Sequence, residues 1–162
     1  DVVRGVYKND NPMYAYKVDS RFKIYRPLAS KYTKWRTNLN NTNIQGYAQL
    51  PPFGNLLIIT KSLKDVMCLY EMGIAAVSPS SETTFLPDDV LESLHQRFKH
   101  IIILYDRDVA GVKNARQYSK QYGLDAIFVH KKFKAKDISD AVKANGFFVV
   151  KEWLTKTVER YD

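Results

Sequence analysis

From Leu56 onward, short apolar runs alternate regularly with amphipathic stretches. Leu56–Thr60 reads as a buried strand, Lys64–Met72 as a helix stopped by Gly73, and Ala75–Ser78 as a second strand. Asp88 is placed to cap a helix running to about Arg97, and His100–Tyr105 is the most apolar strand of the chain. Val109–Tyr122 has a helical pattern that ends at Gly123, a common C-terminal stop. Ala126–His130 supplies a fourth strand, Ile138–Ala144 a short helix ending near Gly146, and Phe147–Tyr161 a last helix. Strands that are apolar almost throughout and alternate with helices predict an α/β fold with a parallel sheet covered on both faces.

The pattern before this region differs. Tyr14–Leu50 holds short aromatic and β-branched runs, many basic residues, turn signals at Asn40–Asn43 and Gly46, and no helical period. It reads as two or three short strands with loops, bounded by Pro51-Pro52. The expected organisation is a small basic N-terminal α+β subdomain over residues 1–53 and a parallel-sheet domain over 54–162.

Charge sharpens that division. The net charge is +8. Residues 1–50 hold nine Lys/Arg against three Asp, whereas residues 51–162 hold 16 Lys/Arg against 14 Asp/Glu, so the basic excess is N-terminal and suits a polyanionic partner. The single cysteine, Cys68, excludes an intramolecular disulfide, and no Cys/His group has zinc spacing. No signal-peptide pattern and no apolar run near the roughly 18 residues of a membrane span occur, so a soluble, cytoplasmic chain without a membrane partner is expected.

The most informative chemistry lies in "IIILYDRDVAGVKNA", residues 101–115, where an apolar strand runs into Asp106 and Asp108. In a parallel sheet, functional groups gather outside the carboxyl ends of the strands. If strand geometry persists through Arg107, both carboxylates point the same way. Two charges about 4 Å apart repel by roughly 4 kcal/mol at an effective dielectric of about 20, which favours a cation between them, Mg²⁺ first. The alternative is a solvated turn in which Asp108 caps the next helix. Other strand ends also deliver polar groups: "KSLKD" after the first, "SPSSETT" with Glu82 after the second, and "KKFKAKDISDAV" with Asp137 and Asp140 after the fourth.

This order of motifs resembles the Toprim domain, the catalytic module of DnaG-type primases, type IA and II topoisomerases and some nucleases. The family pattern is an apolar strand ending Glu-Gly, an Asp a few residues on, a Gly before the next strand, and an apolar strand ending Asp-x-Asp-x-Ala-Gly. "LLIITKSLKD", Gly73 and "IIILYDRDVAG" follow it, and "KAKDISDAV" looks like the acidic segment found further on in primases. "FKIYRP...KYTKWRTNLNNTNIQGYAQLP" resembles, more loosely, the basic subdomain before Toprim in phage and plasmid primases and helicase-primases. The resemblance implies a DNA primase core that joins nucleoside triphosphates on a single-stranded DNA template, with Mg²⁺ or Mn²⁺ held by Asp106, Asp108 and Asp137. Asp140 is a weaker ligand candidate, because Asp137-Ile-Ser-Asp140 is one residue wider than the family's Asp-Pro-Asp. It also implies a replicative helicase or helicase domain as partner.

One position departs from the pattern. Lys61 stands where the family has its glutamate, and Ser62 replaces the glycine after it. An ammonium cannot ligate a cation, and without a strongly lowered pKa it is no base near neutrality. Three explanations stay open: Glu82 supplies the missing carboxylate, Lys61 binds a phosphate or the nucleotide, or the module has lost catalysis and kept nucleic-acid binding. For Glu82 the plain alternative is a loop or helix-capping acid.

Arg21, Lys23, Arg26, Lys34 and Arg36 are the expected template-binding cations, with Tyr25, Tyr32 and Trp35 available to stack bases. The same alternation also describes a half-buried strand with snorkelling side chains. A Toprim nuclease would use the same carboxylates with water as nucleophile. A phosphate-loop motif is absent, so this segment is not an ATPase motor, and the acidic residues do not follow the order of a phosphoacceptor receiver domain.

Overall fold

A computed structural model describes residues 11–81 and 84–161. The chain divides into two compact units, Asp1–Asn40 and Asn41–Asp162. The first contains β1 (Tyr14–Val18), β2 (Arg21–Tyr25) and β3 (Trp35–Thr37), which form an antiparallel three-stranded sheet in that order. Asp19 adopts a left-handed conformation, φ 55°, at the β1–β2 turn, where an aspartate tolerates it well.

The second unit is the parallel α/β domain. Its elements are β4 (Gly54–Ile59), α1 (Leu63–Glu71), β5 (Ala76–Val77), α2 (Asp88–Arg97), β6 (Phe98–Tyr105), α3 (Val109–Tyr122), β7 (Asp125–Phe128), α4 (Ile138–Asn145) and α5 (Phe147–Val158). The sheet order is β5-β4-β6-β7, with every neighbouring pair parallel. Strand alternation splits the core in two. Ile58, Ile102 and Leu104 pack with Leu69, Ile138, Ala141, Val150 and Leu154 on the α1, α4 and α5 side. Leu57, Ile59, Ile101, Ile103 and Tyr105 pack with Leu91, Leu94, Ala115 and Tyr118 on the α2 and α3 side. Each large aliphatic group buried this way contributes about 1.5–3 kcal/mol.

Residues 41–53 pack with this second unit, so the structural division falls before residue 53. Ile44 joins the α2/α3-side core, and the fully buried Gln45 pairs antiparallel with Ser78 and donates from Nε2 to Ser78 Oγ at 2.9 Å. Gly46 there has φ 86°, and a Cβ on it would lie 2.6 Å from both Ala76 O and Val66 Cγ1. A polar, turn-rich stretch reads as a loop, but these groups complete the edge of β5.

Two local expectations change. Pro87, not Asp88, occupies the N-cap position of α2; Asp88 lies in the first helical turn and accepts a 2.6 Å hydrogen bond from the Tyr122 hydroxyl. The last helix ends at Val158 and tightens into a 3-10 turn over Glu159–Tyr161, where the Tyr161 hydroxyl donates to Asp125 Oδ2. On the opposite face, the buried Tyr118 hydroxyl accepts the Leu86 N–H at 2.9 Å. Tyr118→Phe keeps the shape but strands that donor, and is expected to cost about 1–2 kcal/mol in urea unfolding.

Among the described residues, no helix is long and apolar enough to cross a membrane.

Candidate active site

The chain leaves β4 toward β5 on one side, and the later strands β6 and β7 lie on the other. The crevice outside the carboxyl ends of β4 and β6 is therefore the topological switch point of the sheet, where open α/β folds place ligands. Thr60, Lys61 and Ser62 follow β4 there, and Asp106 follows β6.

Ser62 caps α1 by accepting the Asp65 N–H at 3.2 Å, while its own hydroxyl donates to Asp65 Oδ2 at 2.8 Å. This capping exchange points the Asp65 carboxylate inward, where the residue is only 1% exposed. The other oxygen, Oδ1, accepts the backbone N–H of Ser139 from the first turn of α4 at 3.1 Å. Asp137 caps α4: its Oδ1 accepts the Asp140 N–H at 2.7 Å and the Ser139 hydroxyl at 2.9 Å. Ser139 thus bonds both carboxylates and holds Asp65 and Asp137 beside each other.

Asp106 completes the group. Its Oδ2 lies 3.7 Å from Lys136 Nζ, and the segment carrying Lys136 is fixed by the Arg107 N–H donating to Lys136 O at 2.7 Å. Arg107 also donates from Nη1 to Val129 O at 2.9 Å, tying the end of β6 to the residue that follows β7. Burial, then the Asp137 charge, pushes the Asp106 carboxyl up to about 6, against smaller opposing effects of Lys136 and Lys61. Asp65 is pushed up to about 6 by the same two causes in the same order. Three carboxylates from three segments therefore share one poorly solvated site with a deficit of positive charge.

Lys61 lies in this site and is 7% exposed, with Nζ 5.7 Å from the centroid of the Tyr105 ring. Such a contact partly replaces the water an ammonium loses on burial.

The sequence-selected residues are distributed unevenly. Asp106, Asp137 and Lys61 come together. Asp108 lies past the end of β6 at Tyr105, where the chain turns into α3; it is exposed and caps that helix, its Oδ1 accepting the Gly111 N–H at 2.7 Å, and its charge adds a small further push to the raised Asp106 carboxyl. Asp140 is half-buried in the first turn of α4 and brings its backbone N–H to Asp137. Glu82 lies outside the described residues. Arg21, Lys23, Arg26, Lys34 and Arg36 all belong to the antiparallel unit. Asp65 was not singled out by sequence reasoning as a site residue; its only signal was its place in "LLIITKSLKD". Beside the carboxylates, Arg107, Asp108, Val109, Val112, Lys113 and Arg116 line a groove of about 510 Å³ along α3.

Gly111 sets how closely α3 approaches the site. A Cβ there would overlap Asp106 O and lie 2.8 Å from Asp106 C. Only glycine lets the helix start against the aspartate backbone.

Among the described residues no three carboxylate, imidazole or thiol groups form a metal cage. The fit to a divalent cation is that of an open site, in which a hard ion takes one or two carboxylates and completes its shell with water and phosphate oxygens.

Comparisons with known proteins bear on the fold. No curated protein matches the chain. The DnaG primase catalytic domain bound to single-stranded DNA superposes with a TM-score of 0.65 at 20% identity, over 86% of this chain and 47% of that one. The Escherichia coli primase catalytic core gives 0.60 at 18% identity, over 85% of this chain and 51% of that one. The primase fragment of the bacteriophage T7 primase-helicase gives 0.57 at 16% identity, over 82% and 56%. The chain spans about half the length of these structures. The Toprim-like family profile matches residues 58–142, more than half of the chain, running from the end of β4 into α4 and including Lys61, Asp65, Asp106 and Asp137, and the chain belongs to that family.

Proposed function

We propose that this chain is the catalytic core of a DNA primase, a nucleotidyltransferase that joins nucleoside triphosphates into a primer on single-stranded DNA. The observation that carries this reading is the convergence of Asp65, Asp106 and Asp137 at the sheet switch point, where burial and then the Asp137 charge raise the other two carboxyls. The fold shared with primase cores, one of them bound to single-stranded DNA, supports it.

In this reading Asp106 and Asp137 hold Mg²⁺ or Mn²⁺, with Asp108 at the rim. The ion neutralises the triphosphate and stabilises charge during in-line displacement. Asp65 is a positioning residue: it bonds the Ser139 N–H and so orients the turn that presents Asp137. Lys61 binds a phosphate oxygen of the nucleotide, and Arg107, Lys113 and Arg116 add cations along the neighbouring groove. Glu82 stands in for the family glutamate as the acid or base. The basic antiparallel unit binds the template, and a helicase or helicase domain is the partner that delivers it.

Lys61→Met removes a charge-assisted hydrogen bond in this scheme. KM for the nucleoside triphosphate is expected to rise about 10- to 100-fold with the fold retained. An unchanged KM would leave Lys61 as a counter-charge for the carboxylates only.

The test is primer synthesis on single-stranded DNA with Mg²⁺ or Mn²⁺, comparing the chain with Asp106→Ala and Glu82→Ala. Loss of product in both variants supports the scheme; product from Asp106→Ala overturns it. A second reading, a noncatalytic nucleic-acid-binding module of a replication protein, is favoured by one observation: a lysine in place of the family's glutamate. Salt-sensitive binding of single strands, with no product even when a helicase partner is present, is its signature. Shortening of the DNA would identify a nuclease that uses the same carboxylates.

A further inference from the structure

The antiparallel unit carries an aromatic layer. Its register sets Tyr14 opposite Tyr25, Tyr16 opposite Lys23, Tyr25 opposite Trp35 and Lys23 opposite Thr37. Strand alternation therefore puts Tyr14, Tyr16, Lys23, Tyr25 and Trp35 on one face, and Phe22, Ile24 and Arg36 on the other. The rings form a continuous series across all three strands. Tyr25 and Trp35 stack at 4.4 Å with 27° between planes, Tyr14 lies 6.4 Å from Tyr25 at 27°, and Tyr16 lies 6.4 Å from Trp35 at 35°. Lys23 Nζ sits 5.1 Å from the centroid of Trp35. Tyr14 is 51% exposed, and Tyr16, Tyr25 and Trp35 are half-buried.

We infer that this face is a stacking platform for the bases of single-stranded nucleic acid. The occupant follows from the chemistry. Tyr25 and Trp35 cover one face of each other, and the row of rings they continue with Tyr14 and Tyr16 is extended by further stacking on bases, each of which offers a π-face, so the recognition is independent of sequence. Lys23 places a cation on the same face, and residues 11–40 hold seven Lys/Arg against one Asp, which complements a phosphate backbone. A duplex keeps its bases stacked on one another and cannot use the platform. Two of the rings, Tyr14 and Tyr16, lie outside the set of stacking residues read from the sequence. The register also divides the basic residues. Lys23 and Arg21 lie on the platform face, where Arg21 donates from Nη1 to Asn38 O, and Arg36 belongs to the opposite face. This inference rests on the proposed template-binding role of the unit and specifies how the template is held.

The test uses Trp35 as its reporter, in a Trp153→Phe chain so that Trp35 is the sole tryptophan. Titration with oligothymidylate is expected to quench Trp35, and the matching duplex is not. Tyr14→Ala and Tyr16→Ala are expected to weaken binding about 5- to 150-fold each, while Tyr14→Phe and Tyr16→Phe, which keep the ring, restore it. Arg36→Ala is expected to change affinity less than Lys23→Ala. The inference is overturned if single strands bind without quenching Trp35 and the alanine variants bind normally, or if duplex binds equally well. It is also overturned if Trp35 emission responds to protein concentration rather than to oligonucleotide, which would make the face a self-association surface. Primer synthesis measured on the same variants keeps the two readings separate: undiminished synthesis in Tyr14→Ala and Tyr16→Ala overturns the platform and leaves the primase proposal standing.

Discussion

Asp106→Asn is expected to abolish nucleotide transfer and, at neutral pH, to stabilise the fold. The carboxyl is raised from 3.8 to about 6 by burial and by Asp137. A folded-state value above the unfolded one means that the native protein binds this proton more tightly. The associated stability is complete below pH about 4 and is lost as pH rises through about 6. At pH 7 the wild-type chain therefore holds an unfavourable charge that the amide lacks, worth about 1–3 kcal/mol. Thermal unfolding should show Asp106→Asn melting higher than wild type at pH 7, with the difference shrinking toward pH 4. Activity should fall at least about 100-fold, because charge stabilisation at a reacting phosphate is the largest contribution a site of this kind makes. A variant that is less stable at pH 7 would contradict the electrostatics of the site.

The second large effect is expected at Gly111. Replacing a helical glycine with alanine ordinarily stabilises a helix by about 1 kcal/mol. Here the added methyl group would overlap Asp106 O and lie 3.0 Å from Asp106 Cβ, and the obstacle is mainly backbone rather than a movable side-chain tip. The clash dominates, so Gly111→Ala should destabilise the chain by about 2–4 kcal/mol and displace Asp106. For a chain of this size that lowers Tm by about 5–15 °C. Loss of activity should accompany it. A higher Tm would mean that α3 does not start against the aspartate.

The parallel sheet was legible because its strands are apolar almost throughout and its helices end at marked stops. Gly123, predicted as a stop, is the left-handed C-cap of α3, with φ 67°. The pairing of Asp106 with Asp108 was less legible, since its geometry depends on where β6 ends. The strand stops at Tyr105, so the period of two that would have aligned the carboxylates no longer applies, and Asp108 turns to cap α3. Asp65 was hidden for a different reason. On α1 it reads as an ordinary polar helix residue, and its burial depends on α4, whose Ser139 lies far along the chain and donates to it. The inward packing of Ile44 and Gln45 is likewise a long-range effect, invisible in a segment with no helical or strand period. Local pattern located the elements; contacts between distant segments decided which side chains face the crevice.

Lys61 shows what substitution within a shared fold can do. The parallel sheet that positions a family glutamate here positions an ammonium beside Asp106, and the ring of Tyr105 lies near enough to accommodate it. The same backbone thus supports a site with one carboxylate fewer and one fixed cation more, and in the proposed scheme the divalent ion falls to Asp106 and Asp137.

The central claim, that these carboxylates hold a divalent cation, is tested most directly by titrating the chain with Mn²⁺ and following the loss of the free-ion electron paramagnetic resonance signal. Wild type is expected to bind with saturation, and Asp106→Asn combined with Asp137→Asn to lose that binding while remaining folded. Equal Mn²⁺ binding by the double variant and the wild type would contradict the account.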